Sequence, residues 1–134
     1  MVIGENSIEN VAEGFYHYLP EFHLLRLHLT GDLRVDLSAA SLEQNSIAVA
    51  PVSLVICAVY DRTLMRYSVR GERYVFMEVG HAGQNVYLQA TAIGLKTVAI
   101  GAFHDEEVRQ LLHLDAGTRP LYILPLGKAA GGEG

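Results

Sequence analysis

The longest helical pattern in the chain covers residues 71–93 and contains no proline. At about 1.5 Å per residue, such a helix is about 35 Å long, the full width of a small domain. Gly94, directly after the pattern, is typical of a left-handed C-terminal cap. A domain of 134 residues therefore has to build its other elements around this helix.

A polar stripe runs along the predicted helix, because its members recur at steps of three and four. Glu78, His81 and Asn85 carry the polarity, and the flanks are apolar or small, so that we expect the helix to be covered on most sides. Two interpretations stay open: a hydrogen-bonded network in a helix–helix or subunit interface, or a catalytic or cofactor-binding group. The full stripe consists of Tyr74, Glu78, His81, Asn85, Leu88 and Ala92.

Motifs for several other chemistries are weak or absent in the sequence. Glu78 and His81 have the Glu-x-x-His spacing of di-iron bundles, but no second Glu-x-x-His occurs, so we expect no metal site. No serine lies in Gly-x-Ser-x-Gly, and neither Gly-x-Gly-x-x-Gly nor a phosphate-loop pattern is present. These absences argue against serine hydrolases and against Rossmann or P-loop nucleotide binding.

Apolar runs on both sides of the long helix predict strands. Residues 52–59 form a continuous, β-branched run, which is typical of a strand buried on both faces. Further strands are predicted at residues 96–100 and 120–128, and residues 1–4 look like part of a strand. Residues 15–18 and 23–29 flank a four-residue turn, which predicts a hairpin.

Short helices fill the remaining segments. Residues 33–44 form an amphipathic pattern with Asp32 as a candidate N-cap and with Leu37 and Leu42 facing inward. Asp105 is a candidate cap for the helix that carries Val108, Leu111 and Leu112. Helical turns are also predicted at residues 46–50 and 62–68.

The composition narrows the kinds of partner and the cellular compartment. A formal charge of −5 repels phosphate backbones, so nucleic acid is not an expected partner. The single cysteine, Cys57, lies in an apolar run and is expected to be a buried, inert thiol, in keeping with a reducing cytoplasm. The most apolar window, residues 47–60, is shorter than the roughly 20 residues of a membrane-spanning helix, and no signal peptide is apparent.

Two segments are candidates for ligand contacts. Ile100, Gly101 and Ala102 end a predicted strand in small residues, where backbone N–H groups can face a flat ligand. A basic cluster precedes the long helix and is either a solvated charged surface or a contact for an anion or substrate. The cluster consists of Arg62, Arg66, Arg70 and Arg73.

Taken together and in order, several segments resemble the nitroreductase superfamily, and within it they are most similar to the SagB/ThcOx-type dehydrogenase branch, which includes the azoline oxidases of thiazole and oxazole peptide biosynthesis. The match extends over nearly the whole chain. The segments are Gly-Phe-Tyr-His-Tyr from Gly14, Arg66-Tyr67 with Arg70-Gly71, Glu-x-Gly-His-x-x-Gln-Asn from Glu78, Ile-Gly-Ala-Phe-x-Asp from Ile100, and Pro-Leu-Tyr-Ile-Leu-Pro-Leu-Gly-Lys from Pro120.

The resemblance implies an α+β fold with a mixed sheet flanked by helices and a long central helix. It also implies a cytoplasmic homodimer that binds FMN at its interface and transfers hydride through flavin N5 by a ping-pong mechanism, with NAD(P)H or a substrate as donor. By position in the family pattern, Ala99, Ile100, Gly101 and Ala102 run along the flavin ring, and Lys128 meets its phosphate. Arg66 and Tyr67 fall where the family contacts the substrate, so these two residues are the implied catalytic pair.

The sequence departs from the family pattern in two places. The azoline oxidases have a Lys-Tyr pair where this chain has Arg66-Tyr67, and a guanidinium cannot serve as a proton acceptor. About the first third of the family pattern, with its flavin-binding N-terminal segment, has no counterpart here, so a second polypeptide could complete the site. We expect one nitroreductase-like domain at residues 1–128 and a flexible tail at residues 129–134. The alternative to an FMN-dependent enzyme is a flavin-free dimer that acts as a binding or assembly module.

Overall fold

The computed structural model describes residues 1–129 and shows one sheet with helices on both faces. Residues 130–134 of the expected tail lie outside the described residues, and Ala129 is exposed. The strands are β1 (Val2–Ile3), β2 (Gly14–Leu19), β3 (Leu24–Thr30), β4 (Val52–Val59), β5 (Lys96–Thr97) and β6 (Thr118–Gly127). The helices are α1 (Arg34–Ala40), α2 (Asn45–Val49), α3 (Asp61–Tyr67), α4 (Gly71–Ala92) and α5 (Asp105–Leu111), with a 3-10 turn at Ser68–Arg70.

The α+β fold and its long helix are confirmed. The six strands lie in the order β3-β2-β1-β4-β6-β5. Every strand pair within residues 1–129 is antiparallel, whereas the family resemblance implied a mixed sheet. Each of these strands lies beside neighbours that run in the opposite direction, so the described part of the sheet contains no parallel crossover connection.

The hairpin and the central strand agree with the sequence patterns. Strands β2 and β3 pair from Gly14↔Thr30 to Leu19↔Leu24, and the turn covers residues 20–23. Strand β4 has the predicted bounds, but most of its side chains are half-buried instead of buried on both faces. Strand β5 is shorter than the strand predicted at residues 96–100. Regular pairing with β6 stops at Thr97, and beyond it only an isolated bridge joins Ile100 to Ile123.

Helices α1, α2 and α5 cover one face of the sheet, and α4 covers the other. Ile123 of β6 packs in the core against Leu37, Ile47 and Val108 of the three short helices. Tyr122 points to the opposite face, because adjacent residues of a strand alternate, and its ring contacts α4 at Gly83. The cleft that forms the candidate site lies at the edge of this second face.

Three of the predicted helix details are wrong. Helix α1 ends at Ala40, and Leu42 follows it in a left-handed conformation (φ 55°) with half of its surface exposed, so it does not face inward. His104, not Asp105, is the N-cap of α5, and no side chain bonds to the cap of that helix. Asp32 likewise lies one residue before the α1 cap, where its carboxylate accepts hydrogen bonds from the Arg34 and Glu5 N–H groups.

Helix α4 has the predicted length, and Gly94 after it has the expected positive φ of 76°. Only one narrow stripe of the helix is buried, in contrast to the expectation that most sides would be covered. That stripe consists of Gly71, Val75, Val79, Gly83 and Ala90. Exposed apolar side chains, including Met77, Leu88 and Ile93, remain on the outer face. Within residues 1–129, no helix has both the length and the apolarity to span a membrane.

Candidate functional site

The backbone of Ile100 is fixed on the last strand of the sheet just before the chain leaves it. The Ile100 N–H donates to the Ile123 carbonyl at 2.9 Å, and the Ile123 N–H donates back to Ile100 at 3.0 Å. One residue earlier, the Ala99 N–H donates to the Tyr87 hydroxyl of α4 at 2.7 Å. The segment that precedes Gly101 is therefore attached to the sheet and to the long helix at once.

Gly101 and Ala102 are the exposed residues that follow this anchored segment. Within residues 1–129, no hydrogen bond joins the N–H group of either residue to the protein. The next anchor is His104, whose N–H donates to the Ala40 carbonyl at 2.9 Å. Two adjacent amide donors are thus presented on a fixed backbone, as the sequence interpretation of a ligand-facing strand end requires.

A cleft of about 340 Å³ lies beside these amides, between the start of α4 and strand β6. Polar and apolar surface contribute almost equally to its lining, which consists of Phe76, Val79, Gly101, Phe103, Asp105, Pro120, Leu121 and Tyr122. The cleft therefore combines aromatic and aliphatic side chains with unpaired backbone donors at its edge, a combination that suits a planar ring with polar edge atoms.

Tyr122 lies between the long helix and the Gly101 backbone. A Cβ placed on Gly83 would lie 3.4 Å from the Tyr122 ring, and one placed on Gly101 would lie 3.5 Å from it. The ring is thus in close contact with two backbones that have no side chain in the way. Tyr122 is not among the site residues predicted from the sequence, although strand alternation around the core residue Ile123 places it on the helix face.

Lys128 is exposed and follows the end of β6. The pairing of Gly127 with Lys96 places it at the far end of the edge that β5 and β6 form. Five residues separate it from Ile123, which corresponds to about 17 Å along an extended strand. Lys128 is therefore on the same edge as Gly101 but is not part of the cleft lining.

Arg66 and Tyr67 lie at the end of α3, and both are exposed. The Arg66 guanidinium lies 5.4 Å from the centre of the Tyr67 ring, and that ring makes an edge-to-face contact with Tyr74 at 5.1 Å. Neither residue lines the cleft beside Gly101, so a single chain does not bring the two candidate sites together.

A second and more open depression, of about 720 Å³, covers the first turns of α4. Arg70 and Arg73 of the basic cluster line it, together with Val69, Glu72, Phe76 and Met77. Phe76 belongs to both depressions, and no feature of the sequence had distinguished it. Although it is the larger of the two, this depression has neither strand-end amides nor an enclosed wall, so we regard the cleft beside Gly101 as the better candidate site.

Glu78, His81 and Asn85 are exposed on the outer face of α4. Within residues 1–129, they form no hydrogen bond through their side chains, so the chain by itself does not contain the predicted polar network. The described residues also contain no group of three His, Cys, Asp or Glu side chains that could hold a metal ion.

Two groups near the centre of the sheet have shifted pKa values. Cys57 is half-buried instead of fully buried as predicted, but desolvation raises the pKa of its thiol to about 11, so the thiol stays protonated at neutral pH and is a poor nucleophile. Burial lowers the pKa of the Met1 amino group to about 6.

The ring of Tyr60 packs edge-to-face against Phe76, which lines the cleft. Burial is the main cause that raises the pKa of Tyr60, and the nearby Glu72 carboxylate raises it further.

Comparison with known proteins identifies similar sequences. The profile of the nitroreductase family matches residues 9–128. A nitroreductase-type protein of Methanocaldococcus jannaschii is 44% identical over 94% of this chain and 63% of its own length. The microcin B17-processing protein McbC of Escherichia coli is 31% identical over 90% of this chain and 46% of its own length. The chain thus spans between about half and two thirds of these relatives.

Three solved structures with the same fold bear on function. A nitroreductase-type protein of Anabaena variabilis superposes with a TM-score of 0.86 at 27% identity, over 91% of this chain and 25% of that one. The McbBCD microcin synthetase complex of Escherichia coli gives 0.78 at 29% identity, over 87% and 44%. The NADPH:FMN oxidoreductase of Vibrio harveyi, in complex with NAD+, gives 0.61 at 26% identity, over 71% and 45%.

Proposed function

Because this chain belongs to the nitroreductase family, we propose that it is an FMN-dependent oxidoreductase, a dehydrogenase of the SagB/ThcOx type that acts in a reducing cytoplasm. Its likeness to the Vibrio harveyi NADPH:FMN oxidoreductase supports the cofactor, and its 31% identity to McbC supports the branch. FMN, when bound, supplies an N5 atom that takes up a hydride from NAD(P)H or a substrate and passes it on in a ping-pong cycle.

The observation that carries the proposal is the pair of unpaired amides at Gly101 and Ala102 beside the cleft. The described residues fit a flavin at this point, because Ala99 and Ile100 are already anchored and the donors that follow are accessible. These amides would donate to polar atoms on the edge of the ring and stabilise negative charge that develops there. Phe76 and Tyr122 would cover apolar ring surface and exclude water.

Lys128 is the proposed contact for the phosphate group of the cofactor. It is exposed, positively charged and separated from Ile123 by about 17 Å along β6, so it can act only on the end of a ligand that extends well away from the ring. An ammonium group on a flexible side chain suits a phosphate as a point charge.

Arg66 and Tyr67 are the proposed substrate contacts. The guanidinium can bind an anionic or carbonyl group of a substrate but cannot take up a proton, so any proton acceptor must be a different group. Both residues are exposed and lie outside the cleft of one chain, which makes their role dependent on how the complete site is assembled.

A homodimer built on α4 is the proposed assembly. Phe76, Met77 and Leu88 each expose more than half of their surface on this helix, beside the polar Glu78 and His81. Apposition of two such faces would bury the apolar side chains and give the polar ones partners. A second polypeptide could add further flavin contacts, since the chain spans only part of its relatives.

The proposal is tested by the visible spectrum of the purified protein before and after incubation with FMN. Bound oxidised flavin gives bands near about 370 and 450 nm that bleach on addition of NAD(P)H. Replacing Ala102→Pro removes one of the two amides and should weaken FMN binding, whereas Ala102→Ser retains the amide and should not. A folded protein that never binds FMN would overturn the proposal.

The second candidate function is a flavin-free binding or assembly module. The observation that favours it is that neither Lys128 nor Arg66 lines the cleft beside Gly101 in one chain. Such a module would be dimeric and colourless, and its partner binding would be unaffected by Ala102→Pro. Dimerisation without FMN binding would therefore favour this candidate over the enzyme.

A further inference from the structure

The open depression over the first turns of α4 has a volume of about 720 Å³, which is within the range of small-molecule sites. Most of its lining surface is apolar and is supplied by Val69, Phe76 and Met77. These three side chains are 88%, 52% and 51% exposed. Adjacent apolar side chains with this much exposure are typical of a surface that another molecule covers.

Two guanidinium groups lie on the same depression, those of Arg70 and Arg73. Both residues are exposed. Within residues 1–129, neither guanidinium forms an ion pair or a hydrogen bond, and the ion pairs in this part of the chain are made by Arg34 and Arg109 instead. Two adjacent positive charges are therefore available to a ligand on a chain whose formal charge is −5.

The depression also has one carboxylate in its lining, that of Glu72. Glu72 precedes Phe76 by four residues on α4, so the two side chains lie on the same stripe of the helix. That stripe faces Tyr60, whose ring lies 6.3 Å from the Phe76 ring and whose pKa the Glu72 charge raises. Arg73 is turned about 100° around the helix from Glu72, so the carboxylate and the guanidinium lie on different sides of the depression.

The apolar side of the depression is held in place by the corner between α3 and α4. A Cβ added to Gly71 would lie 3.1 Å from the Leu64 Cα, so the two helices touch at this point without a side chain between them. The edge-to-face contact with Tyr60 fixes the Phe76 ring from the other side. The depression is therefore formed before any ligand binds, as is usual for small-molecule sites.

We propose that this depression binds an organic anion with an apolar body. Arg70 and Arg73 hold its carboxylate, because a guanidinium matches the planar geometry of a carboxylate with two parallel donors. The body packs on Phe76 and Met77. An inorganic anion would leave this apolar surface exposed to water, and a neutral apolar molecule would leave both guanidiniums without a partner, so the two features together define the class of ligand.

Phe76 lines the depression and also the cleft beside Gly101, so this side chain lies between the two spaces. An anion bound in the depression would therefore lie next to the proposed flavin site. Its other contacts, Arg70, Arg73 and Met77, are outside the cleft lining. The inference thus goes beyond the proposed function and does not require that FMN binds.

The two guanidiniums lie at the opposite end of α4 from Leu88. Fifteen residues separate Arg73 from Leu88, which corresponds to about 22 Å along the helix. A homodimer contact centred on Leu88 can therefore form without covering Arg70 or Arg73.

The test uses naphthylacetate, which joins a carboxylate to a flat apolar body, and naphthylacetamide as the neutral control with the same body. Isothermal titration calorimetry on the protein as purified measures both affinities. We expect the acid to bind at least tenfold more tightly than the amide, because only the acid forms charge-assisted hydrogen bonds, and its affinity to fall as salt is added. Equal affinities of acid and amide, or no binding of the acid at about 5 mM, would overturn the proposal.

Three variants separate this depression from a general effect of charge. Arg70→Gln and Arg73→Gln should each lower the affinity for the acid about tenfold and leave the affinity for the amide unchanged. Arg62→Gln is the matched control, because Arg62 is an exposed member of the same basic cluster but does not line the depression. A loss of the same size in Arg62→Gln would show that the depression does not bind the acid.

Met77→Ala tests the apolar contact, since it should lower the affinities for acid and amide alike, by about threefold. Sedimentation of the arginine variants distinguishes a ligand site from a subunit contact. If Arg70→Gln or Arg73→Gln changes the oligomeric state but not the affinity for the acid, the guanidiniums bind a second copy of the chain and the proposal is wrong.

Discussion

The Tyr87 hydroxyl accepts a hydrogen bond from the Ala99 N–H at 2.7 Å, and this bond connects the middle of the long helix to the segment that ends at Gly101. The Ile100 pair with Ile123 holds the same segment from the side of the sheet. The position of the two unpaired amides therefore depends on both the helix and the sheet, and each contact can be removed without changing the amides themselves.

Replacing Tyr87→Phe should weaken FMN binding and lower the free energy of unfolding by about 1–3 kcal/mol, because the half-buried Ala99 N–H loses its acceptor. Flavin fluorescence titration and urea unfolding measure the two effects. Tyr16→Phe is the matched control, because it removes the 2.9 Å bond from the Tyr16 hydroxyl to the Ala12 carbonyl, away from the cleft. An equal loss of FMN affinity in both variants would contradict a positioning role for Tyr87.

Lys128→Gln should lower the affinity for FMN by about tenfold or more, because a charge-assisted contact to phosphate contributes about 1.5–3 kcal/mol. The affinity for riboflavin, which has no phosphate, should not change. Lys96→Gln is the control, since Lys96 is exposed and pairs opposite Gly127 on the neighbouring strand. If FMN and riboflavin lose affinity equally in Lys128→Gln, then Lys128 does not contact the phosphate.

Two glycines of the α4 region should respond in opposite directions to alanine, although neither has an atom within 4 Å of an added Cβ. Gly80→Ala should stabilise the chain by about 0.5–1 kcal/mol, because alanine is the better helix former at a helical position. Gly94→Ala should destabilise it by about 1–2 kcal/mol, because φ is 76° there. Urea unfolding of the two variants tests the pair, and a stabilising Gly94→Ala would contradict the left-handed cap.

The stability of the chain should rise with pH between about 6 and 8 through its amino terminus. Burial lowers the pKa of the Met1 amino group from 8.0 to about 6, so the unfolded chain binds more protons in this range and acid favours unfolding. A shift of that size corresponds to about 2–3 kcal/mol. Urea unfolding at pH 6 and pH 8 should show this dependence, whereas N-terminally acetylated protein should lose it. An unchanged pH dependence after acetylation would contradict a buried amino group.

Local patterns were sufficient to predict most of the fold. Strand β4, the hairpin and helix α4 follow from β-branched runs, alternation and the absence of proline, all of which are readable over short windows. Leu42 was placed wrongly because the helical period was extended past Ala40, where the chain turns into a left-handed conformation. Periodicity does not show where a helix ends unless a glycine or proline marks the position.

The candidate site was predictable in part. Gly101 and Ala102 follow from small residues at a strand end, and the structure leaves their amides unpaired. Tyr87 and Tyr122 were missed, because their contacts depend on how α4 lies across β6, a relation between segments distant in sequence. The roles of Arg66, Tyr67 and Lys128 remain predictions, and the Lys128→Gln variant tests the last of them.

The pairing of Val2 and Ile3 has a consequence for how the molecule opens. Within residues 1–129, the short segment at residues 1–4, which includes these two residues, provides the only strand pairing between the hairpin side of the sheet and the β4, β6 and β5 side. We expect the sheet to behave as two cooperative units joined by this short seam, so that the hairpin exchanges its amide protons through a partial opening that leaves β4 and β6 intact. Native-state hydrogen exchange would then show two groups of opening free energies, divided at β1.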